Sequence, residues 1–363
     1  LDPKELERSV RGFQEALNSK FGNSIVGYSV KTNSVPFCLK CAGKLGAYAE
    51  VVSSDEYELA LACGFSKGNI IYNGPLKSKE TFIDAILHGA IVNIETKREL
   101  SWLKELPHDK KYNVGLRVNI NISHVSPEDA DGENDNSRFE LKDALSFIKQ
   151  IDNVELAGLH IHRTTHSRSV RFYKKSIEYA CLTIKKYGLS INYLDVGGGF
   201  FGIFPNKPTY QQYSDAFYEV LSKFEMQNLC VIVEPGNALV ASCFSFISEV
   251  IDVKHVEKEL WFITTNGSRN DIDPFFKKST YLCETVDYNK NRDIAKEQIV
   301  SGCTCLEYDR MHTLKDKPLL SVGDRIVYNN VGAYTMCLSP MFIRYIPNIY
   351  VKNEDSFELI REK

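Results

Sequence analysis

No apolar run in this 363-residue chain approaches the ~20 residues a membrane-spanning helix requires, so no membrane partner is expected. Net charge is almost absent as well. Lys and Arg total 44 against 47 Asp and Glu, and the resulting −3 is too small to predict a nucleic-acid partner. Repeats and low-complexity tracts are missing, and no signal peptide is visible at Leu1, which together point to a cytoplasmic enzyme. Metal-ligand spacing is scarce. Of the ten cysteines only Cys38-x-x-Cys41 and Cys303-x-Cys305 are close in sequence, and one matching pair does not make a zinc site. No metal is expected, and thiols in contexts such as Leu61-Ala62-Cys63-Gly64 read as reduced and buried.

What is present is globular: 25% charged and 43% hydrophobic residues, enough for one large domain or two ordinary ones. A helix with Leu6, Val10, Phe13 and Leu17 on one face opens the chain. Eight β-like runs follow: Ile25–Val30, Tyr48–Val52, Ile70–Tyr72, Ile91–Ile94, Val114–Ile120, Leu156–Ile161, Tyr193–Val196 and Val231–Val233. Amphipathic helical stretches such as Ser54–Cys63, Thr81–His88 and Arg171–Lys186 separate most of them. This alternation predicts an α/β fold, a (β/α)8 barrel over residues 1–237, with a doubly wound open sheet as the rival. The acidic stretch Pro127–Asn136 reads as a solvated surface loop. Residues 238–363 carry short β-like runs (Phe244–Val253, Leu260–Thr265, Asp324–Asn329, Phe342–Pro347) and predict a second, mainly β domain.

The chemistry-capable residues fall where such a barrel keeps its active site, at the C-terminal strand ends. Lys31 follows the first strand, Ser53 and Glu56 the second, Asn73-Gly74 the third; Arg117 and Asn119 lie late in the fifth. His162 closes the sixth, Gly197-Gly198-Gly199 follow the seventh, and Glu234-Pro235-Gly236 the eighth. Three consecutive glycines leave backbone N–H groups unshielded and form a phosphate cradle or, more blandly, a tight turn. A lysine leaving an apolar strand toward the barrel mouth is suited to covalent attachment of an aldehyde, or is a solvated strand end. Glu234 is suited to the ring nitrogen of a pyridine cofactor, and His162 to stacking on its ring, with His160 sharing its face.

In order along the chain, these motifs resemble the fold-type-III pyridoxal-phosphate-dependent decarboxylases of ornithine, diaminopimelate and arginine. Tyr28-Ser29-Val30-Lys31-Thr32-Asn33 resembles the family's lysine motif, and Val51–Glu56 the segment after its second strand. Gly158-Leu159-His160-Ile161-His162 resembles the stacking-histidine motif, and Leu194–Phe200 the phosphate loop. Glu234-Pro235-Gly236, Gly302-Cys303-Thr304-Cys305 with Asp309, and Gly332-Ala333-Tyr334 are similar to its remaining motifs. The resemblance implies pyridoxal 5'-phosphate on Lys31. Its further cofactor contacts would be Glu50, Ser53, His162, Thr165, Gly197, Gly198, Gly199, Glu234, Gly236, Asn237 and Tyr334. It implies an amino-acid substrate near Asp273, Glu307 and Asp309, and a homodimer in which Cys305 of one chain reprotonates substrate on the other. The family's β domain also takes a segment before the barrel, expected ahead of Leu1.

The departures concern recognition. Asn237 stands where the family has a phosphate-binding arginine, with Arg163 or Arg168 as candidates to compensate. Leu306 replaces the acid beside the cysteine, and Asp273 the arginine of diaminopimelate enzymes, so diaminopimelate is not the expected substrate. A racemase of the same fold would place arginine rather than Glu234 at the ring nitrogen; an inactive regulatory homologue would not need Lys31, His162, Glu234 and Cys305 together.

Overall fold

The computed structural model describes residues 1–129, 140–163, 166–257, 259–286 and 291–363. The chain divides into two compact units, 6–239 and 240–363, the second of which also takes residues 1–5. In the first unit eight strands close a barrel: β1 (Ser24–Ser29), β2 (Tyr48–Ser53), β3 (Ile70–Leu76), β4 (Ile91–Ile94), β5 (Tyr112–Val118), β6 (Val154–Ile161), β7 (Tyr193–Asp195) and β8 (Cys230–Val233). Each pairs in parallel with the next, and β1 pairs with β8, which excludes the open sheet. The opening helix, Pro3–Asn18, buries Leu6, Val10, Phe13 and Leu17, the face its sequence spacing predicts. Phe13 stacks on Tyr210 with ring centroids 4.5 Å apart.

The barrel interior is layered by the two-residue period of its strands. Ile71, Ala157, Tyr193, Cys230 and Ile232 form an apolar cluster, with Ile25, Tyr48 and Ile91 packed against it. Two residues further along, the same faces carry polar groups. Tyr48 is followed by Glu50, Ile71 by Asn73, Ile91 by Asn93, Tyr193 by Asp195 and Ile232 by Glu234. The Tyr193 side chain fits because Gly115 and Gly158 have none of their own. A Cβ at Gly115 would lie 2.1 Å from its hydroxyl, and one at Gly158 would lie 2.3 Å from its ring. A dry floor thus supports a polar layer, all five members of which are buried.

The second unit is mainly β. β9 (Ser245–Glu257), β10 (Leu260–Thr265), β11 (Cys283–Val286), β12 (Ile294–Ser301), β13 (Arg310–Pro318) and β14 (Arg325–Asn329) form one sheet in the order β11-β14-β9-β10-β12-β13. β15 (Ile349–Lys352) and β16 (Phe357–Arg361) form a separate hairpin. Phe342–Pro347, expected as a strand, is irregular. Ile343 has φ +69°, incompatible with a ladder, and the Arg344 guanidinium bonds Asn266 O and Asp271 instead. Of the expected surface loop Pro127–Asn136, residues from 130 onward lie outside the described residues. Asp129 is buried rather than solvated, accepting from Ser126 and Ser169. Among the described residues, no helix is long and apolar enough to cross a membrane.

Candidate active site

Lys31 lies in a short 3-10 turn, Val30–Thr32, directly after β1, so its side chain leaves the barrel wall at the C-terminal end. Its Nζ donates to Glu50 Oε2 at 2.8 Å and Oε1 at 3.1 Å. Ser29 Oγ donates to the same carboxylate at 2.6 Å. Asn73 then extends the array: one Nδ2 donates to Glu50 Oε1 at 3.1 Å and also to Glu234 Oε1. Asn93 Nδ2 donates to Asn73 Oδ1 at 2.8 Å and to Asp195 Oδ2 at 3.3 Å. Tyr193 OH donates to Asn93 Oδ1 at 2.9 Å. Each amide in the array is therefore oriented, with at least one N–H directed at a carboxylate.

Glu234 ends this array beneath two imidazoles. His160 Nε2 lies 3.4 Å and His162 Nδ1 3.9 Å from Glu234 Oε2. Burial alone would raise the Glu234 carboxyl, but His160, a hydrogen bond from Asp195 and the Lys31 charge hold it well below the usual carboxylate range. The His162 ring is neutral: burial and Arg117 press it down to about 3, and its Nδ1 accepts the Gly198 N–H at 3.0 Å. That bond assigns its proton to Nε2. Arg117 braces the strand behind it, with NH2 3.3 Å from His162 O and NH1 3.3 Å from Glu95 Oε2.

The glycines allow the loops to meet. A Cβ at Gly198 would lie 2.4 Å from Glu234 O, and one at Gly236 would lie 2.1 Å from Thr32 Oγ1. Gly197, at φ +70°, sits against the His162 ring. Among the described residues, no acceptor meets the N–H of Gly199, Gly236 or Asn237. These donors, an amine on a carboxylate clamp, a neutral imidazole and a buried anion fit the phosphate, aldehyde, ring face and ring nitrogen of pyridoxal phosphate. Ser53 acts locally, its Oγ accepting the Glu56 N–H at 3.2 Å and capping helix Ser54–Ala62. Glu56 Oε2 accepts the Val52 N–H at 2.9 Å, and burial pushes its carboxyl up to about 7. Thr165 lies outside the described residues.

The second unit holds the other candidates. Cys305 and Glu307 are exposed, and Tyr334 is half-buried in the left-handed region at φ +66°. Asp309 is buried and supports the cysteine loop: it accepts from Arg269 N at 2.8 Å, from Thr304 N at 3.2 Å and from Thr304 Oγ1 at 2.6 Å. Asp273 is buried too, and its Oδ2 takes Arg269 NH2 at 3.1 Å, Lys278 N at 2.9 Å and Tyr281 OH at 3.1 Å. It is therefore held in an ion pair with Arg269 rather than standing as a free anion.

No motif in the sequence marks Asn93 or Tyr193 for this site, Asn73 stands out only by its position, and Asp195 lies inside the Leu194–Phe200 loop motif without being singled out by it. The two-residue step from an apolar to a polar residue, repeated in five strands, is the signal that marks them.

Comparisons with known proteins bear on the family. Residues 4–241 match the family model described as "Pyridoxal-dependent decarboxylase, pyridoxal binding domain". The diaminopimelate decarboxylase of Aquifex aeolicus is 26% identical over 343 residues, covering 90% of this chain and 80% of that one. A probable chloroplastic diaminopimelate decarboxylase of Oryza sativa is 28% identical, over 98% of this chain and 75% of its own. Among solved structures, the diaminopimelate decarboxylase of M. jannaschii superposes with a TM-score of 0.85 at 22% identity, over 100% of this chain and 88% of that one. The arginine decarboxylase of a Paramecium bursaria Chlorella virus superposes with a TM-score of 0.77 at 22% identity, over 95% and 92%. With two thirds of its length matched by the family model and its strand-end residues assembled around one lysine, this chain belongs to the pyridoxal-dependent decarboxylases.

Proposed function

We propose that the protein removes the α-carboxylate of an amino acid or amino-acid conjugate as carbon dioxide, with pyridoxal phosphate held on Lys31. The observation that carries this reading is the clamp on Lys31 Nζ by Glu50, joined through Asn73 to the buried Glu234. When bound, the cofactor supplies the electron sink that stabilises the carbanion left by departing carbon dioxide. Glu50 fixes Nζ and favours positive charge there. His162 offers a neutral ring face, and Glu234 accepts a proton-bearing ring nitrogen. Gly199, Gly236 and Asn237 bind the phosphate through backbone N–H groups, in loops whose close approach Gly197 and Gly198 allow. The Cys305 thiol of a partner subunit returns a proton from Sγ to the substrate carbon, in a homodimer with shared sites. Asp309 acts on that step only by holding the Cys305 loop. The named relatives act on diaminopimelate or arginine, which supports an amino-acid substrate. The thiols fit a reducing, cytoplasmic setting.

The deciding experiment is carbon-dioxide release from a panel of amino acids and conjugates, with borohydride fixation of the cofactor to the Lys31 peptide. Labelling at another lysine, or racemisation without carbon-dioxide release, would overturn the proposal.

A further inference from the structure

Three carboxyl groups, Glu50, Glu234 and Asp195, share the buried polar layer. Among the described residues, the cations beside them are few. Arg117 is committed to Glu95, and Lys77 to Glu99 at 3.1 Å. Lys31 serves Glu50, and the His162 ring is neutral. Even a protonated His160 would leave three buried carboxylates against two cations, an imbalance that burial makes costly. One carboxyl must therefore keep its proton.

The hydrogen bonds identify which one. Glu50 receives Lys31, Ser29 and Asn73. Glu234 receives Asn73 and faces both imidazoles. Asp195 receives the Gly197 N–H at 2.9 Å and Asn93 Nδ2 at 3.3 Å, neither of them a charged donor. It is fully buried and in hydrogen-bond contact with Glu234, and two carboxyls in such contact need a proton between them. The groups facing the pair come from every neighbouring strand: Lys31 after β1, Glu50 on β2, His160 and His162 on β6, Tyr193 on β7 itself and Cys230 on β8. None of them offers Asp195 a cation in contact.

We propose that Asp195 is a positioning residue that stays protonated and donates its O–H to Glu234, holding Glu234 as the anion that a cofactor ring nitrogen meets. Consistent with this, burial and the neighbouring Glu234 push the Asp195 carboxyl well above the ordinary range, while Glu234 is displaced the opposite way. The inference rests on the assignment of Glu234 to the ring nitrogen, but the protonation of Asp195 does not require the cofactor.

Two measurements separate those parts. Infrared spectra of the cofactor-free protein should contain the carbonyl stretch of an un-ionised carboxyl that persists above neutral pH and disappears in Asp195→Asn. Absence of that band in the wild type overturns the proposal, whether or not any variant folds. In the holoenzyme, Asp195→Leu should lower kcat about tenfold or more with KM little changed, and shift the pH profile of the cofactor's visible band. Asp195→Asn, which keeps an N–H donor toward Glu234 and an acceptor for Gly197, should recover most of the loss. An Asn variant as impaired as Leu overturns the neutral-donor role. Borohydride labelling that misses Lys31 would sink the cofactor assignment alone, leaving the infrared result to decide the proton.

Discussion

Lys31 Nζ lies 2.8 Å from Glu50 Oε2, with the lysine side chain 37% exposed and the carboxylate only 1%. The anion is built into the barrel wall, while the cation reaches out to where an aldehyde can approach. A fixed carboxylate beside Nζ stabilises positive charge on it, before and after cofactor attachment. Glu50→Gln should therefore move the midpoint of the cofactor's pH-dependent absorbance change downward by about one unit, ~1.4 kcal/mol. A spectrophotometric pH titration of the reconstituted protein checks this, and an unmoved midpoint removes Glu50 from the assignment.

Glu56 gives a stability prediction of unusual sign. Burial raises its folded carboxyl to about 7, above the ordinary 4.5. A raised pKa means the folded state binds the proton more tightly, so its stabilisation is complete below 4.5 and lost as pH rises through 7. Glu56→Gln keeps an acceptor for the Val52 N–H without the charge. At pH about 8 the variant should be more stable than wild type by about 1–2 kcal/mol, and at pH about 4 the difference should vanish. Urea denaturation at the two pH values decides it.

Gly198→Ala tests the cradle. Its Cβ would lie 2.4 Å from the backbone oxygen of Glu234, so the loops after β7 and β8 must separate. Overpacking of this kind costs about 1–3 kcal/mol. Pyridoxal phosphate should bind at least about tenfold more weakly, while pyridoxal, which lacks the phosphate, should lose less. Fluorescence titration with both compounds makes the comparison, and equal losses would place the damage elsewhere than the phosphate.

Much of this arrangement was legible in the sequence, because strand ends and turn chemistry are local. Lys31, His162, the glycines at 197–199 and Glu234 each stand just past an apolar run, and the barrel brings them together as that placement predicts. Asn73 and Asp195 were less visible because their partners are remote in sequence. Asn73 reaches Glu234 across 161 residues, and Asn93 reaches Asp195 across 102. Asp273 misled for a related reason: a bare acid in the sequence is, in the folded chain, neutralised by Arg269 one helical turn earlier.

The proposed shared site calls for mixing two inactive proteins. Lys31→Ala and Cys305→Ala should each be nearly inactive alone, since one lacks the cofactor's anchor and the other the proton donor. After subunit exchange, one of the two sites in a hybrid has both groups intact. Activity should return toward about a quarter of wild type at random mixing, because half the dimers are hybrids with one good site. Demonstrated exchange with no recovery would place Cys305 outside the partner's site.

Leu306 bears on which amino acid is chosen. The resemblance implies an acid beside the cysteine that would meet a distal ammonium, and this chain has Leu306 there. Two of the neighbouring acids are already engaged. Asp273 is occupied by Arg269, Lys278 and Tyr281, and Asp309 by the loop it anchors. That leaves Glu307, which is exposed. A substrate with a free distal ammonium therefore gives up an ion pair here, whereas a conjugated or less polar distal end gives up nothing. Leu306→Asp should raise kcat/KM for ornithine and lysine by about tenfold, ~1.4 kcal/mol of transition-state binding, and lower it for bulkier conjugates. Glu307→Gln should reduce whatever turnover of diamino acids the wild type has. Measuring kcat/KM for meso-diaminopimelate, ornithine, lysine, arginine and amino-acid conjugates on all three proteins tests the argument. If wild type already favours meso-diaminopimelate by tenfold or more, about 1.4 kcal/mol, the distal end is read by residues other than position 306.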